Sequence, residues 1–332
     1  MMSNIAIDFV VPWVDDSDPV WREKKLKYIG AKMQDGNTEA RYRDWDTLKY
    51  WFRGIDKFAP WVRYVYFITD EQKPDWLNVN HPKLKWVKHT DYIPKEYLPT
   101  FSSHVIEWNL HRIEGLSEHF VYFNDDVFMI GETQPEDFFV DGIPCDYPQL
   151  NSIPPCGFFT HIMFNNYELI KRHFSIKESI KQNPMDWIRA QKLSFLAKLM
   201  LFGTADMHLR VRDWHLEIAY NKSSFQKLWE EEYEAIHKTC QHKIRALDDV
   251  SSWCVREWRM LSNAFAFQKP RGRYFMTSSL SKNNDLIDYI IKQKGKTVCV
   301  NDTEEEIDFE LHKQMIVEAF EKLLPEKSSF EL

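Results

Sequence analysis

The chain has 332 residues, a hydrophobic content of 44% and a formal net charge of −7. This length and composition predict one large or two modest folded domains. The acidic balance, without any run of basic residues, argues against a surface dedicated to nucleic acid. The five cysteines lie far apart with no C-x-x-C pair, which argues against a disulfide framework and a zinc site.

The N-terminal segment "MMSNIAIDFVVPWVDD" carries no basic leader, and its apolar run is too short for a signal sequence or a membrane span. We therefore expect a cytoplasmic protein. Downstream, β-branched and aromatic runs that predict strands alternate with patterns of helical spacing. The predicted strands are "IAIDFVVPWV", "VRYVYFITD", "KLKWVKHTDYI" and "HFVYFNDDVFMI", and the predicted helices are "WDTLKYWFRGIDKFAP" and "SSHVIEWNLHRIEGL". This alternation predicts an α/β sheet with its site at the carboxyl ends of the strands.

Residues 132–205 lose this alternation and become more helical toward their end. We interpret them as an insertion or cap subdomain, while residues 1–131 and 206–332 form a single α/β catalytic domain. Two or three helices are expected between about residues 215 and 267. A late strand, "GKTVCVND", and a closing helix, "DFELHKQMIVEAFEKLLP", complete the predicted domain.

Three apolar runs end in carboxylates: "VVPWVDD", "VYFNDD" and "VCVND". The carboxyl ends of strands in an open α/β sheet converge on one edge, and Mg²⁺ prefers carboxylate and phosphate oxygens. The alternative for each run is an aspartate that caps the following helix or turn. Taken together, the three runs favour a metal site.

A later helical region contains His215, His242 and Arg245. A histidine titrates near neutral pH and suits proton transfer, while the planar fork of an arginine suits a phosphate group. Ordinary, partly exposed side chains are the alternative interpretation for most of the histidines.

Four blocks of the sequence are spread over nearly the whole chain. They are "IDFVVPWVDDSDP", the long block from "ARYRDWDTLKYW" to "LPTFSSHVIEWNLHRIEGLSEHFVYFNDDVF", "HLEIAYNKSSFQKLWEEEYEAIHKTCQHKIRALDDV" and "KTVCVND". These blocks resemble the Stealth family of sugar-1-phosphate transferases. The resemblance implies a Rossmann-like, glycosyltransferase-A-like mixed sheet flanked by helices, with a helical insertion. It also implies transfer of a sugar together with its phosphate from a nucleotide-diphosphate sugar to a glycan hydroxyl, with release of a nucleoside monophosphate.

The resemblance carries specific residues onto this chain. It implies a metal site for Mg²⁺ or Mn²⁺ formed by Asp125, Asp126 and Asp302, with Asn301 beside the last. The catalytic residues that it implies are Glu107, Asp126, His215 and Arg245. The substrate-binding residues that it implies, with Lys222 added for its charge, are Trp13, Val14, Asp16, Asp18, Arg41, Arg43, Asn124 and Lys222.

Residue type assigns roles within this set. Arg245 would bind phosphoryl oxygens, on which charge accumulates in the transition state. His215 would take the proton of the acceptor hydroxyl or contact the phosphate directly, and His161 is the alternative base. Lys222 would add positive charge, with a solvated lysine as the equal alternative.

The expected partners are a nucleotide-sugar donor, with a UDP-sugar favoured, and a glycan or lipid-linked glycan acceptor. Peripheral contact with the inner face of the membrane and a homo-oligomer are left open. Two other functions compete: a conventional glycosyltransferase that releases nucleoside diphosphate, and a non-catalytic carbohydrate-binding protein on the same fold.

Overall fold

The computed structural model of the chain describes residues 5–29, 44–155, 157–192, 209–277, 280–302 and 308–332. The strands are β1 (Ile7–Pro12), β2 (Val65–Thr69), β3 (Leu84–Lys88), β4 (His119–Tyr122), β5 (Val127–Met129), β6 (Phe139–Val140), β7 (Ile143–Asp146), β8 (Leu150–Ser152), β9 (Leu209–Val211), β10 (Ile218–Asn221), β11 (Ala266–Phe267), β12 (Gly272–Met276) and β13 (Thr297–Asn301). The helices are α1 (Pro19–Ile29), α2 (Leu48–Phe58), α3 (His89–Tyr92), α4 (Ser103–Trp108), α5 (Phe158–Ile170), α6 (Ile176–Gln182), α7 (Pro184–Ala190), α8 (Lys222–Glu231), α9 (Tyr233–Gln241), α10 (Trp253–Leu261), α11 (Leu280–Ile291) and α12 (Phe309–Leu323).

A five-stranded sheet in the order β10-β4-β1-β2-β3 forms the centre of the fold. Strands β4, β1, β2 and β3 are parallel, and β10 joins the edge of β4 in the antiparallel direction. The chain passes from β1 to β2 and β3 on one side and then returns to β4 on the other, so the strand order reverses beside β1. This topology confirms the predicted Rossmann-like mixed α/β sheet flanked by helices.

Both faces of the central sheet are buried. Phe9 of β1 and Phe67 of β2 face a core that includes α2, β5, β13 and α12. Their neighbours Val10 and Tyr66 face the opposite core, which includes α4, α8, α9 and α10. Successive side chains of a strand point to opposite faces, so strands covered on both sides read as the continuous apolar runs seen in the sequence.

The predicted fourth strand, "HFVYFNDDVFMI", is wrong in one respect, because it forms two strands that belong to different sheets. β4 pairs with β1, whereas β5 pairs with β13 in a sheet of order β12-β13-β5. A turn at Asp125 and Asp126 separates them, and the Val127 N–H donates to Asn124 O at 3.1 Å. The chain therefore changes sheets at its paired carboxylates.

Helix α2 packs against β5, the strand that follows the turn at Asp125 and Asp126. Trp51 and Phe52 of α2 are fully buried, and the helix packs on β5 through Gly54. A Cβ atom on Gly54 would lie 2.6 Å from the carbonyl oxygen of Met129, so only a glycine allows this close approach. Because β5 begins directly after Asp126, this contact helps to fix the position of the acidic turn.

The segment predicted as an insertion contains β6, β7, β8 and helices α5, α6 and α7 among its described residues. It is not only helical, since β8 pairs with β9 and β7 pairs with β11. Leu169 and Trp187 of the segment belong to the same hydrophobic core as Phe120 and Tyr220 of the central sheet. Its separate status as a cap subdomain stays a prediction. Nowhere in the described ranges is a helix both long and apolar enough to cross a membrane.

Candidate active site

A cavity of about 250 Å³ opens at the carboxyl ends of β1 and β4, where the strand order reverses. This is the place where open α/β sheets bind ligands. The structure brings most of the predicted site residues together here. Those that line the cavity are Trp13, Val14, Glu107, Asn124, Asp125, Asp126, His215, Arg245 and Asp302.

Asp126 is held by groups far away in the sequence. The Asn301 amide donates to Asp126 Oδ2 at 2.9 Å, and the Val300 N–H donates to the Asp126 carbonyl oxygen at 2.8 Å. His215 Nε2 lies 3.4 Å from the same Oδ2. The end of β13 and the loop before β10 therefore fix this carboxylate from two directions.

The pKa values of the two adjacent carboxyl groups are shifted in opposite directions. Burial opposes ionisation of Asp126, but the charge of His215 and hydrogen bonds from His215, Asn301 and Cys299 outweigh it and lower the pKa. The Asp125 side chain is accessible from the cavity, yet its pKa rises to about 7. The surrounding protein desolvates Asp125, and the like charges of Asp126 and Asp44 add to the rise.

These features fit a hard divalent cation. Asp126 Oδ1 is buried and has no hydrogen-bond partner among the described residues, and a buried unpaired oxygen of this kind is costly without a ligand. Asp126, His215 and Cys299 have atoms within 4.8 Å of one another. Burial raises the pKa of the Cys299 thiol well above its usual value, so this sulfur is a poor ligand for Mg²⁺. The carboxylates are the better candidates.

Glu107 lies on α4 beneath the acidic turn and is buried. Its Oε1 lies 3.2 Å from the Tyr122 hydroxyl, and its Oε2 accepts a hydrogen bond from Ser252 Oγ. The Tyr122 hydroxyl also lies 3.0 Å from Asn124 Oδ1. Both Glu107 oxygens are thus engaged by protein groups, an arrangement that suits orientation of the Asn124 loop.

Arg245 brings a positive charge to the cavity lining. Its Nη2 donates to Ser103 Oγ at 3.1 Å, which links the segment after α9 to the start of α4. The charge of Arg245 is also one of the influences that lower the pKa of Asp125, against the larger effects that raise it. The guanidinium therefore faces the same space as the acidic turn.

His215 has an unusual backbone conformation, with φ at 50°. Non-glycine residues rarely adopt such angles, at a cost of about 1–3 kcal/mol, and those that do cluster at functional sites. The His215 N–H donates to Asp213 Oδ1 at 3.0 Å, and its ring meets Tyr274 edge-on, with ring centroids 5.5 Å apart. These contacts turn the ring toward Asp126.

The remaining predicted residues that the structure describes do not line the cavity. Asp18 caps α1, since its Oδ1 accepts the Val20 N–H at 2.9 Å, and it does not line the cavity. Asp16, 4.0 Å from the Arg22 guanidinium, is also outside the lining. Lys222, predicted to add positive charge to the site, donates from its ammonium to Ile113 O at 3.3 Å and is not part of the cavity lining. His161 is exposed on α5, away from the lining, and both Arg41 and Arg43 lie outside the described residues.

Several lining residues were missed from the sequence. Asp44 directly follows the "RYR" motif, and its pKa rises to about 6, mainly through desolvation. His104 stands in the same "SSHVIE" motif as Glu107, which was the available signal for it. Asp70 and His89 follow β2 and β3, so the strand-end rule would have found both.

Comparison with known proteins supports the family resemblance. Residues 6–33 match the family model for Stealth protein CR1, conserved region 1, and residues 41–145 match that for Stealth protein CR2, conserved region 2. The chain is 41% identical to the capsular polysaccharide phosphotransferase WcwK of Streptococcus pneumoniae over 100% of both chains. It is 40% identical to the receptor polysaccharide phosphotransferase WefC of Streptococcus gordonii, over 98% of this chain and 99% of that protein.

Two further matches are more distant. The exopolysaccharide phosphotransferase cps2G of Lactiplantibacillus plantarum is 36% identical over 98% of this chain and 96% of that protein. Among solved structures, the galactosyltransferase LgtC in complex with donor and acceptor sugar analogs has a TM-score of 0.40 and 9% identity, over 94% of this chain and 95% of that one. The full-length sequence matches establish that the chain belongs to the Stealth family of phosphotransferase enzymes.

Proposed function

We propose that the chain transfers a sugar-1-phosphate from a nucleotide-diphosphate sugar to a hydroxyl of a glycan acceptor, with the help of Mg²⁺ or Mn²⁺. Nucleoside monophosphate is the leaving product, and the reaction serves the synthesis of a surface polysaccharide. One observation carries the proposal. In a chain that matches capsular polysaccharide phosphotransferases over its full length, the acidic turn, His215 and Arg245 line a single cavity.

The donor would enter the cavity between the ends of β1 and β4. Trp13 packs on Phe67 with ring centroids 5.8 Å apart, so its indole offers a fixed apolar surface for the nucleotide side of the donor. Asp126, with Asp125 and Asp302, would hold the metal ion, and the ion would neutralise charge on the diphosphate. Raised pKa values at Asp125 and Asp44 support this, because an acidic cavity is more stable with a cation bound.

The other side chains would act on the transferred phosphoryl group. Arg245 would bind its non-bridging oxygens, with the attacking hydroxyl and the leaving oxygen in line on either side of the phosphorus, since phosphoryl transfer depends on positioning and charge neutralisation. His215, 3.4 Å from Asp126, stands where it would meet the phosphate oxygens next to the metal. Glu107 would keep the Asn124 loop in place through Tyr122.

The second candidate is a conventional glycosyltransferase, which would break the bond at the anomeric carbon and release nucleoside diphosphate. The same strand-end acids would serve either chemistry, so geometry alone favours neither. The names of the full-length relatives favour phosphotransfer. A cytoplasmic location, peripheral membrane contact and the choice of a UDP-sugar donor stay predictions.

The experiment is identification of the released nucleotide. Purified protein is incubated with Mg²⁺, a glycan acceptor and a series of UDP-, GDP- and CDP-sugars, and the products are separated by chromatography. Nucleoside monophosphate that is lost on addition of EDTA and restored by excess Mg²⁺ is the expected result. Release of nucleoside diphosphate would contradict the proposal, once added diphosphate is shown to survive the incubation intact.

A further inference from the structure

The cavity contains a second histidine, His104, on helix α4. Its side chain is buried, and its ring belongs to the cavity lining. His104 Nδ1 lies 3.0 Å from Asp249 Oδ2. No described residue forms a hydrogen bond with His104 Nε2, and this atom is not completely buried. One ring nitrogen is therefore bound to a carboxylate, and the other is left for a ligand in the cavity.

The Asp249 carboxylate is held by hydrogen bonds with His104, His242 and the Ala246 N–H. It is completely buried, its Oδ1 lies 2.6 Å from His242 Nδ1, and its Oδ2 accepts the Ala246 N–H at 3.0 Å. Burial opposes ionisation of Asp249, but hydrogen bonds from His104 and His242 outweigh it and lower the pKa. An ionised carboxylate at Nδ1 selects the His104 tautomer that has its proton on Nδ1 and its lone pair on Nε2.

His215 differs from His104 because its contact with a carboxylate is made through Nε2 and not through Nδ1. Its Nε2 faces Asp126, the acid that would hold the metal ion, at 3.4 Å. His104, in contrast, lies on α4 next to Ser103, whose hydroxyl accepts a hydrogen bond from Arg245. His215 therefore lies beside Asp126, the carboxylate that would hold the metal ion. His104 instead contacts a different carboxylate, Asp249, through Nδ1.

We propose that His104 Nε2 accepts the proton of the acceptor hydroxyl and that Asp249 is the positioning residue that holds its ring. This inference rests on the proposed sugar-1-phosphate transfer. A bond forms between the acceptor oxygen and the sugar-side phosphorus, and the bond from that phosphorus to the nucleoside monophosphate oxygen breaks. The hydroxyl proton moves to His104 Nε2, the bonding electrons leave with the monophosphate, and the imidazolium later returns its proton to solvent.

The test compares two substitutions at His104 in the full-length protein with Mg²⁺. His104→Asn places an amide donor near the position of Nδ1, which preserves the bond to Asp249 but removes Nε2. His104→Ala removes both nitrogens and leaves space for a small base. We expect each variant to lower kcat for nucleoside monophosphate release by about 10²–10⁴-fold, with little change in the KM for the donor. Circular dichroism and Tm check that the variants are folded.

Chemical rescue separates proton transfer from a structural role. Free imidazole should restore part of the kcat of His104→Ala, and it should have no effect on the wild type or on His215→Ala. The matched control is His81→Ala, between β2 and β3 and outside the cavity lining, which should keep wild-type rates. Asp249→Asn should lower kcat without rescue, because imidazole does not replace a carboxylate.

Two outcomes would overturn the inference. One is a folded His104→Asn variant with near-wild-type kcat. The other is rescue by imidazole of His215→Ala but not of His104→Ala, which would assign the proton to His215. Failure of the proposed function itself gives a different result, because the wild-type protein would then release no nucleoside monophosphate under any condition.

Discussion

The Asn301 amide donates to Asp126 Oδ2 at 2.9 Å across 175 positions of sequence. This bond joins the end of β13 to the turn between β4 and β5, and it brings together two of the short acidic motifs at strand ends. Because His215 approaches the same oxygen, one carboxylate connects three separate segments of the chain. Asp126 is therefore the residue whose loss should have the most direct effect on function.

Substituting Asp126→Asn should reduce nucleotide release by at least about 10³-fold while the protein stays folded, because the amide preserves size but removes a metal-binding charge. The Mg²⁺-dependent increase in Tm of the wild type should also disappear, since a ligand stabilises only the state that binds it. Both effects are measured by chromatography and by thermal unfolding with and without Mg²⁺. Asp141→Asn, in an exposed turn between β6 and β7, is the matched control. An Asp126→Asn variant with full activity would remove this residue from the mechanism.

Substituting Arg245→Lys should lower kcat by about 10²-fold, because an ammonium keeps the charge but cannot make the paired contacts of a planar guanidinium. Steady-state kinetics with varied donor concentration provides the measurement. Arg172→Lys, at an exposed arginine near the end of α5 that pairs with Glu232, should leave the rate unchanged. Equal rates for Arg245→Lys and the wild type would show that charge alone is sufficient at this position.

Asp146 anchors the segment between residues 132 and 205 to helix α10. It is buried, accepts a hydrogen bond from Arg256 Nη2 at 2.7 Å and also pairs with Arg259. Asp146→Asn leaves two buried guanidinium groups without a counter-charge, and it should lower the free energy of unfolding by about 3–5 kcal/mol. Chemical denaturation followed by fluorescence measures the change. A loss below about 1 kcal/mol would contradict the assigned importance of this ion cluster.

The ionisation of Asp146 should also make the free energy of unfolding depend on pH. Burial opposes ionisation of Asp146, but the charges of Arg256 and Arg259 outweigh it, so the folded-state pKa lies below the usual value. Its contribution to stability is present above the unfolded pKa of about 3.9 and is lost as the pH falls through the folded pKa. The stability difference between wild type and Asp146→Asn should therefore shrink below about pH 4. A difference that stays constant down to pH 2 would contradict this linkage.

Substituting Gly54→Ala should affect both stability and activity. The added Cβ would lie 2.6 Å from Met129 O, so helix α2 and strand β5 must separate, at a cost of about 1–3 kcal/mol. Because β5 follows directly after the acidic turn, we also expect weaker Mg²⁺-dependent stabilisation. Thermal unfolding with and without Mg²⁺ measures both effects. An unchanged Mg²⁺ response in a destabilised variant would show that the turn is independent of this contact.

The sequence alone determined the α/β class, the strands that form the parallel part of the sheet and the family. These follow from local information: side-chain periodicity identifies a strand buried on both faces, and an uninterrupted motif such as "HRIEGLS" remains recognisable without a structure. It also predicted Asp125, Asp126, His215 and Arg245 as site residues, and all four line the same cavity.

Only the tertiary structure decided how these residues pair. The strand predicted through residues 119–130 breaks at Asp125 because its two halves pair with β1 and β13 in different sheets. The bonds from Asn301 to Asp126 and from His104 to Asp249 join segments more than 140 positions apart. Such contacts depend on which strands and helices become neighbours, and no local pattern specifies that. The pKa shifts of the carboxyl groups follow from the same packing, because burial and charges from distant parts of the sequence cause them.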